Sequence, residues 1–86
     1  MSQETIELTI KLFAAYQEAC GVSELISKFP PGTTAANILE NLIAQHPQLE
    51  QWRNLTRFGV NWQFVEPDTV LQNGDELVLI PPVSGG

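Results

Sequence analysis

Few groups in this sequence could do chemistry, and most of them stand alone. His46 is the only histidine and Cys20 the only cysteine. His46 falls in the last turn of a helical segment, where a cation suits the negative end of the helix dipole. Spacing places no acid or nucleophile beside it, so a structural role outweighs a catalytic one. Cys20 has no basic neighbour in sequence that would lower its pKa, and it reads as a small buried residue of a loop. It can form neither an internal disulfide nor a thiolate metal cage, which fits a reducing compartment. The acids Glu7, Glu18, Glu24, Glu40, Glu50, Glu66, Asp68, Asp75 and Glu76 are dispersed as on a solvated surface. Asp75 and Glu76 also guard the apolar strand that follows them. No metal site is expected.

The remaining candidate is the sequence's last segment, Pro81-Pro82-Val83-Ser84-Gly85-Gly86, which directly follows an apolar strand. Two prolines hold the start of such a tail extended and lower its conformational entropy. Extended, residues 81–86 reach up to ~20 Å at ~3.3 Å per residue. Gly85 and Gly86 have no side chains, so the end can enter a narrow channel in another protein. What it delivers there is a carboxyl group on Gly86. A carboxylate becomes an acyl donor once joined to AMP as a mixed anhydride. Replacement of AMP by sulfide then gives a thiocarboxylate, which is ionised and nucleophilic at neutral pH, as a thiolate is.

The elements that must position this tail are legible in the periodicity. Ile6, Leu8, Ile10 and Leu12 alternate with polar residues, predicting a one-faced strand over about 5–13. Residues 14–21 read as a loop or short turn ending in Gly21, and Val22–Phe29 as a second, antiparallel strand. Pro30-Pro31-Gly32 breaks the chain, and Thr33 or Thr34 can cap a helix. Ala35, Ile38, Leu39, Leu42 and Ile43 then form one apolar stripe at helical spacing, predicted to face the sheet, and Pro47 stops it after His46. Phe58, Val60, Trp62 and Phe64 alternate as a third strand. Asn73-Gly74 marks a turn. Leu77 to Ile80 form a continuous apolar run, hence a central last strand buried on both faces and most easily beside the first. This order predicts an α+β β-grasp, or ubiquitin-like, fold, a mixed sheet covered by one main helix. Residues 1–80 would form the domain and residues 81–86 the extended tail.

Composition narrows the function classes. The chain has 86 residues, one small domain with little room for a cofactor pocket. Ten acids against four cations give a net charge of −6, and Lys11, Lys28, Arg53 and Arg57 are scattered. That disfavours nucleic acid, which needs clustered positive charge, and suits a basic protein partner. No apolar run approaches the ~20 residues that span a bilayer. The N-terminal Met1-Ser2-Gln3-Glu4 lacks a basic segment before an apolar stretch. No secretory signal and a cytoplasmic location are therefore expected.

With these residues in view, the sequence resembles the small subunits of molybdopterin synthase, within the ThiS-like and MoaD-like sulfur carriers. The resemblance rests on Lys11 to Gly21 (first strand and loop), on Val60-Asn61, and above all on Gly74 to Gly86, whose last six residues are its most specific part. Gln17 stands where an arginine is frequent, and Trp62 where a polar residue is usual. The resemblance implies that an ATP-dependent adenylyltransferase of the ubiquitin-activating type adenylates Gly86, and that a sulfurtransferase converts the glycyl adenylate to 1-thioglycine. Pro81, Pro82, Val83, Ser84 and Gly85 would insert into the large synthase subunit, which holds the catalytic residues. Sulfur would pass to cyclic pyranopterin monophosphate within a heterotetramer of two copies of each subunit, for molybdenum cofactor synthesis. No bound cofactor is implied. Phe13, Phe64 and Ile80, with Trp62, would make the apolar contact with the large subunit. Other readings stay open: a sulfur carrier for thiamine, cysteine or tRNA thiolation, a ubiquitin-like protein modifier, or a plain β-grasp binding module.

Overall fold

Strict alternation makes β1, Ile6–Leu12, one-faced: Ile6, Leu8, Ile10 and Leu12 are buried and Glu7 is exposed. The structure is a computed structural model that describes residues 4–82. The tail positions Val83, Ser84, Gly85 and Gly86 lie outside the described residues. Of the tail's first residues, Pro81 is buried and Pro82 half-buried, so contact with the folded body continues past the last strand.

The segment read as a loop is instead a short helix, α1, Ala15–Cys20, capped by Gly21 at φ 78°. Glycine takes that left-handed conformation without a Cβ clash. The helix is too short for a 3.6-residue period to show in sequence. Its one fully buried side chain is Tyr16. Thr56 Oγ1 donates to the Trp52 carbonyl at 2.8 Å, so the Tyr16 hydroxyl donates to Thr56 and ties α1 to the middle of the chain. β2, Glu24–Phe29, starts at Glu24 rather than Val22, which is exposed, and pairs antiparallel with β1.

α2, Ala35–Gln45, is capped by Thr34, not Thr33. Thr34 Oγ1 accepts from the Asn37 N–H at 3.2 Å while Asn37 Oδ1 accepts from the Thr34 N–H at 3.0 Å. Each bond satisfies an N–H that the helix start leaves without a partner. Thr33 is buried and donates to the Pro30 carbonyl at 2.7 Å. All five residues of the predicted stripe are buried. His46 is the C-cap, one position past the last turn, and Pro47 opens a 3-10 helix, Pro47–Trp52, where its missing N–H costs nothing.

The predicted third strand is in fact two. β3, Arg57–Val60, and β4, Gln63–Val65, form a hairpin around Asn61 and Trp62, both at positive φ, 51° and 74°. That is the backbone a two-residue hairpin turn demands. Such a turn makes the facing residues share a face. Phe58 pairs with Val65 on the core side, and Gly59 with Phe64 on the other. The reading that put Phe58 and Phe64 on one face is thus corrected by the parity of the turn.

β5, Glu76–Ile80, lies parallel to β1 and antiparallel to β3, giving the order β2-β1-β5-β3-β4. This is the β-grasp arrangement, a mixed five-stranded sheet with α2 on one face. β5 is central as expected, but it is not buried on both faces. Leu77 and Leu79 are buried under the helix, while Val78 and Ile80 point to the uncovered side and are half-buried. Leu71, which the periodicity did not single out, completes the core and donates its N–H to the Thr33 carbonyl at 2.9 Å.

Leu42 lies in this core, so Leu42→Ala should lower stability by about 2–5 kcal/mol. A loss under ~0.5 kcal/mol in a urea melt would contradict the helix phase. Tyr16 gives a pH test. Burial pushes its phenol above the usual 10.0. A raised folded pKa means that its contribution is present below the unfolded value and lost as pH rises through the folded one. Stability should fall on the alkaline side of about pH 10, and Tyr16→Phe should flatten that limb in urea melts. Lys11 declines in the same window, so the difference between variant and wild type carries the result.

Candidate functional site

The uncovered face of the sheet is built by register. Pairing places Glu24 beside Lys11, Lys11 beside Val78, Val78 beside Gly59, and Gly59 beside Phe64, one row across all five strands. On the β2 side the row is ionic. Lys11 Nζ lies 2.7 Å from Glu24 Oε1 and 3.8 Å from Glu76 Oε2. Its hydrogen bond to Glu24, followed by the charge of the same carboxylate, holds the ammonium above its ordinary pKa. The pair is solvent-facing, so it fixes the lysine's direction more than it stabilises the fold.

On the β4 side the row is apolar. A groove of about 300 Å³ is lined by Lys11, Phe13, Gly59, Trp62, Gln63, Phe64, Val78 and Ile80. Gly59 forms a flat part of its floor: an added Cβ would stand 3.6 Å from the Gln63 carbonyl oxygen and 3.8 Å from the Val78 Cβ. The groove's side chains are unusually open, with Trp62 85%, Phe64 73% and Phe13 50% exposed. Phe13, Phe64, Ile80 and Trp62, which the resemblance offered as one apolar contact, therefore meet in one place. Lys11, Gly59 and Val78 were not anticipated there. Their outward direction was implicit in the alternation of their strands, but their adjacency depends on pairing.

The groove reaches the root of the tail. Ile80 belongs to it, and Pro81 follows directly. A second depression of about 450 Å³, lined by Leu55, Arg57, Ile80, Pro81 and Pro82, continues the surface around that root.

The other reactive groups remain apart from this surface. Cys20 is half-buried, and burial pushes its thiol up, away from the nucleophilic thiolate. Among the described residues no cluster of three or more histidine, cysteine or acidic side chains could hold a metal, and no helix is long and apolar enough to cross a membrane. The carboxyl-bearing Gly86 lies outside the described residues, with Val83, Ser84 and Gly85.

A ubiquitin-like β-grasp domain with an apolar face running to its C-terminal segment defines the class. The chain belongs to the ThiS family, whose model matches residues 10–86. It is 35% identical to the molybdopterin synthase sulfur carrier subunit of Arabidopsis thaliana, over 95% of this chain and 85% of that protein. Among solved structures it is similar to the small archaeal modifier protein SAMP1 of Haloferax volcanii, with TM-score 0.77, 27% identity, and coverage of 93% of this chain and 99% of that one. It also shares its fold with a chain from the complex of subunits 1 and 2 of molybdopterin-converting factor from Helicobacter pylori. There the TM-score is 0.62 and the identity 21%, over 94% of this chain and 100% of that one.

The parity of the hairpin makes a contrast between two phenylalanines. Phe58→Ala should cost about 3–5 kcal/mol, as for a buried aromatic. Phe64→Ala should change stability by less than ~0.5 kcal/mol, as for an exposed site. Urea melts of the two variants measure both, and comparable losses would contradict the two-residue turn.

Proposed function

We propose that this chain is the sulfur carrier subunit of molybdopterin synthase, with Gly86 as its working group. The supporting observation is the continuity of the apolar groove with the tail. A partner seated on Phe13, Phe64 and Ile80 would find Pro81 emerging at the edge of the contact and the glycines aimed into its own interior. Fixing the body of the carrier in this way raises the effective concentration of Gly86 at the partner's site. Family membership and the sulfur carrier relatives support the same reading.

In this reading the Gly86 carboxylate attacks the α-phosphate of ATP on a separate activating enzyme and pyrophosphate leaves. Sulfide, supplied by a sulfurtransferase, displaces AMP from the acyl carbon and leaves a thiocarboxylate. Its sulfur then passes to cyclic pyranopterin monophosphate in the large subunit, which supplies the catalytic residues, and water restores the carboxylate. The chain is thus a group carrier and not itself an enzyme. It binds no cofactor, works in the cytoplasm, and joins two copies of itself to two of the large subunit. Pro81, Pro82, Val83, Ser84 and Gly85 act as the inserted stem. The likeness to an archaeal modifier protein supports a second reading, attachment through Gly86 to protein lysines, which shares the adenylate.

Protein isolated from cells should carry a fraction about 16 Da heavier from exchange of oxygen for sulfur, placed on Gly86 by fragmentation to separate it from methionine oxidation. Deleting Gly86 should abolish sulfur transfer with the urea midpoint unchanged; wild-type transfer after the deletion would overturn the reading. Conjugates to lysines in cell extract would favour the second reading.

A further inference from the structure

Trp62 is held where a large side chain gains nothing from its own fold. Its backbone is at φ 74°, a conformation that side chains with a Cβ rarely adopt, and its side chain is 85% exposed. Residues kept in such conformations persist because the surroundings over-determine them, and they gather at functional sites. Here the surroundings are visible. The Asn61 N–H donates to the Glu76 carbonyl at 3.0 Å, and Asn61 Oδ1 accepts from the Glu76 N–H at 3.1 Å. Asn61 Nδ2 donates to Asp75 Oδ1 at 2.9 Å, while Asp75 Oδ2 accepts from the Gln72 N–H at 2.8 Å. The hairpin tip is thereby fastened to the start of β5 through both backbone and side chain. The backbone that carries the indole is set before any partner arrives, which removes part of the ordering cost from binding.

We propose that the Asn61–Trp62 turn is a pre-set specificity element that selects the cognate large subunit by inserting the indole into an apolar slot containing one acceptor oxygen. This rests on the carrier reading above. The acceptor follows from the indole, whose single N–H needs a partner once water is excluded. The occupant follows from position and charge. Trp62 lines the same groove as Ile80, the residue at the root of the tail, so a body that receives the tail arrives beside it. A second copy would instead bring together two chains of net charge −6, which repel.

Trp52 and Trp62 are the two tryptophans, so Trp52→Phe leaves Trp62 as the only indole reporter. On titration with the molybdopterin synthase large subunit of the same organism, Trp62 emission should shift to the blue and acrylamide quenching should fall several-fold. In the wild-type background, Trp62→Gly places an Asn-Gly pair at the turn, the sequence that best suits its backbone. This variant should keep or raise the urea midpoint while binding the cognate large subunit at least tenfold more weakly. A purely structural residue would not move those two readouts in opposite directions. Wild type should also prefer its own large subunit over the human one by more than tenfold, and Trp62→Gly should narrow that ratio. Unchanged quenching at saturation, unchanged affinity, or an unchanged ratio would each overturn the proposal. Protection of Trp62 in the concentrated chain alone, with a doubled mass, would assign the groove to a second copy and overturn it as well. If wild type fails to bind the large subunit at all, the carrier reading falls and takes this inference with it.

Discussion

The parallel pairing of β1 with β5 is the constraint on which the rest of the structure depends. It joins the first and last strands at the centre of the sheet, from Thr9 beside Glu76 to Leu12 beside Leu79. Because β5 is central, the tail leaves the middle of the sheet and not a fraying edge. Because β1 lies beside it, Lys11 stands next to Val78 and Phe13 next to the exit of the chain. A parallel pair needs a long crossover, and the intervening chain supplies it with α2, whose apolar stripe closes one face.

One helix closes only one face. The domain is too small for a second layer, so the apolar residues on the other side stay in water. Exposed apolar patches of this kind mark interaction sites. Here the patch is bounded on one side by the Glu24–Lys11–Glu76 cluster and on the other by the hairpin tip. In the proposed reading, the ionic side would limit how far an apolar partner spreads, and the hairpin side would set its orientation. In the proposed function, stability and recognition use opposite faces of the same strands, with Leu77 and Leu79 buried in the core and Val78 and Ile80 on the uncovered side. A substitution on the uncovered face can alter binding with little effect on folding.

The same economy explains the chemistry. Among the described residues, Cys20 is half-buried and His46 caps a helix, and neither is set beside a group that would activate a nucleophile. In the proposed function the reactive group is created on the chain by another protein and used inside a third. The fold's contribution is then geometric: it offers a rigid surface and a proline-stiffened stem at a fixed relation to each other. Burial of Pro81 strengthens that relation, since the stem begins while still packed on the domain.

Much of this was legible in the residues themselves. Alternation in 6–12, the helical stripe from Ala35 to Ile43, the proline and glycine breaks, and the apolar run before Pro81 determined the strands, the helix, its buried face and the fold class. These signals are local: a period of two or 3.6 residues states which side of an element avoids water. The chemistry proposed for the tail rests on its composition and on the family resemblance. Three features were decided only by tertiary structure. The α1 turn buried Tyr16 without a period long enough to detect. Two positive φ angles at Asn61 and Trp62 broke an apparently continuous strand and sent Phe64 to the opposite face from Phe58. Phe13, Trp62, Phe64 and Ile80 became one groove because the register between strands far apart in sequence set them side by side. Alternation fixes the face on which a residue lies, but its neighbours on that face are set by backbone hydrogen bonds between strands, which a one-dimensional pattern does not contain.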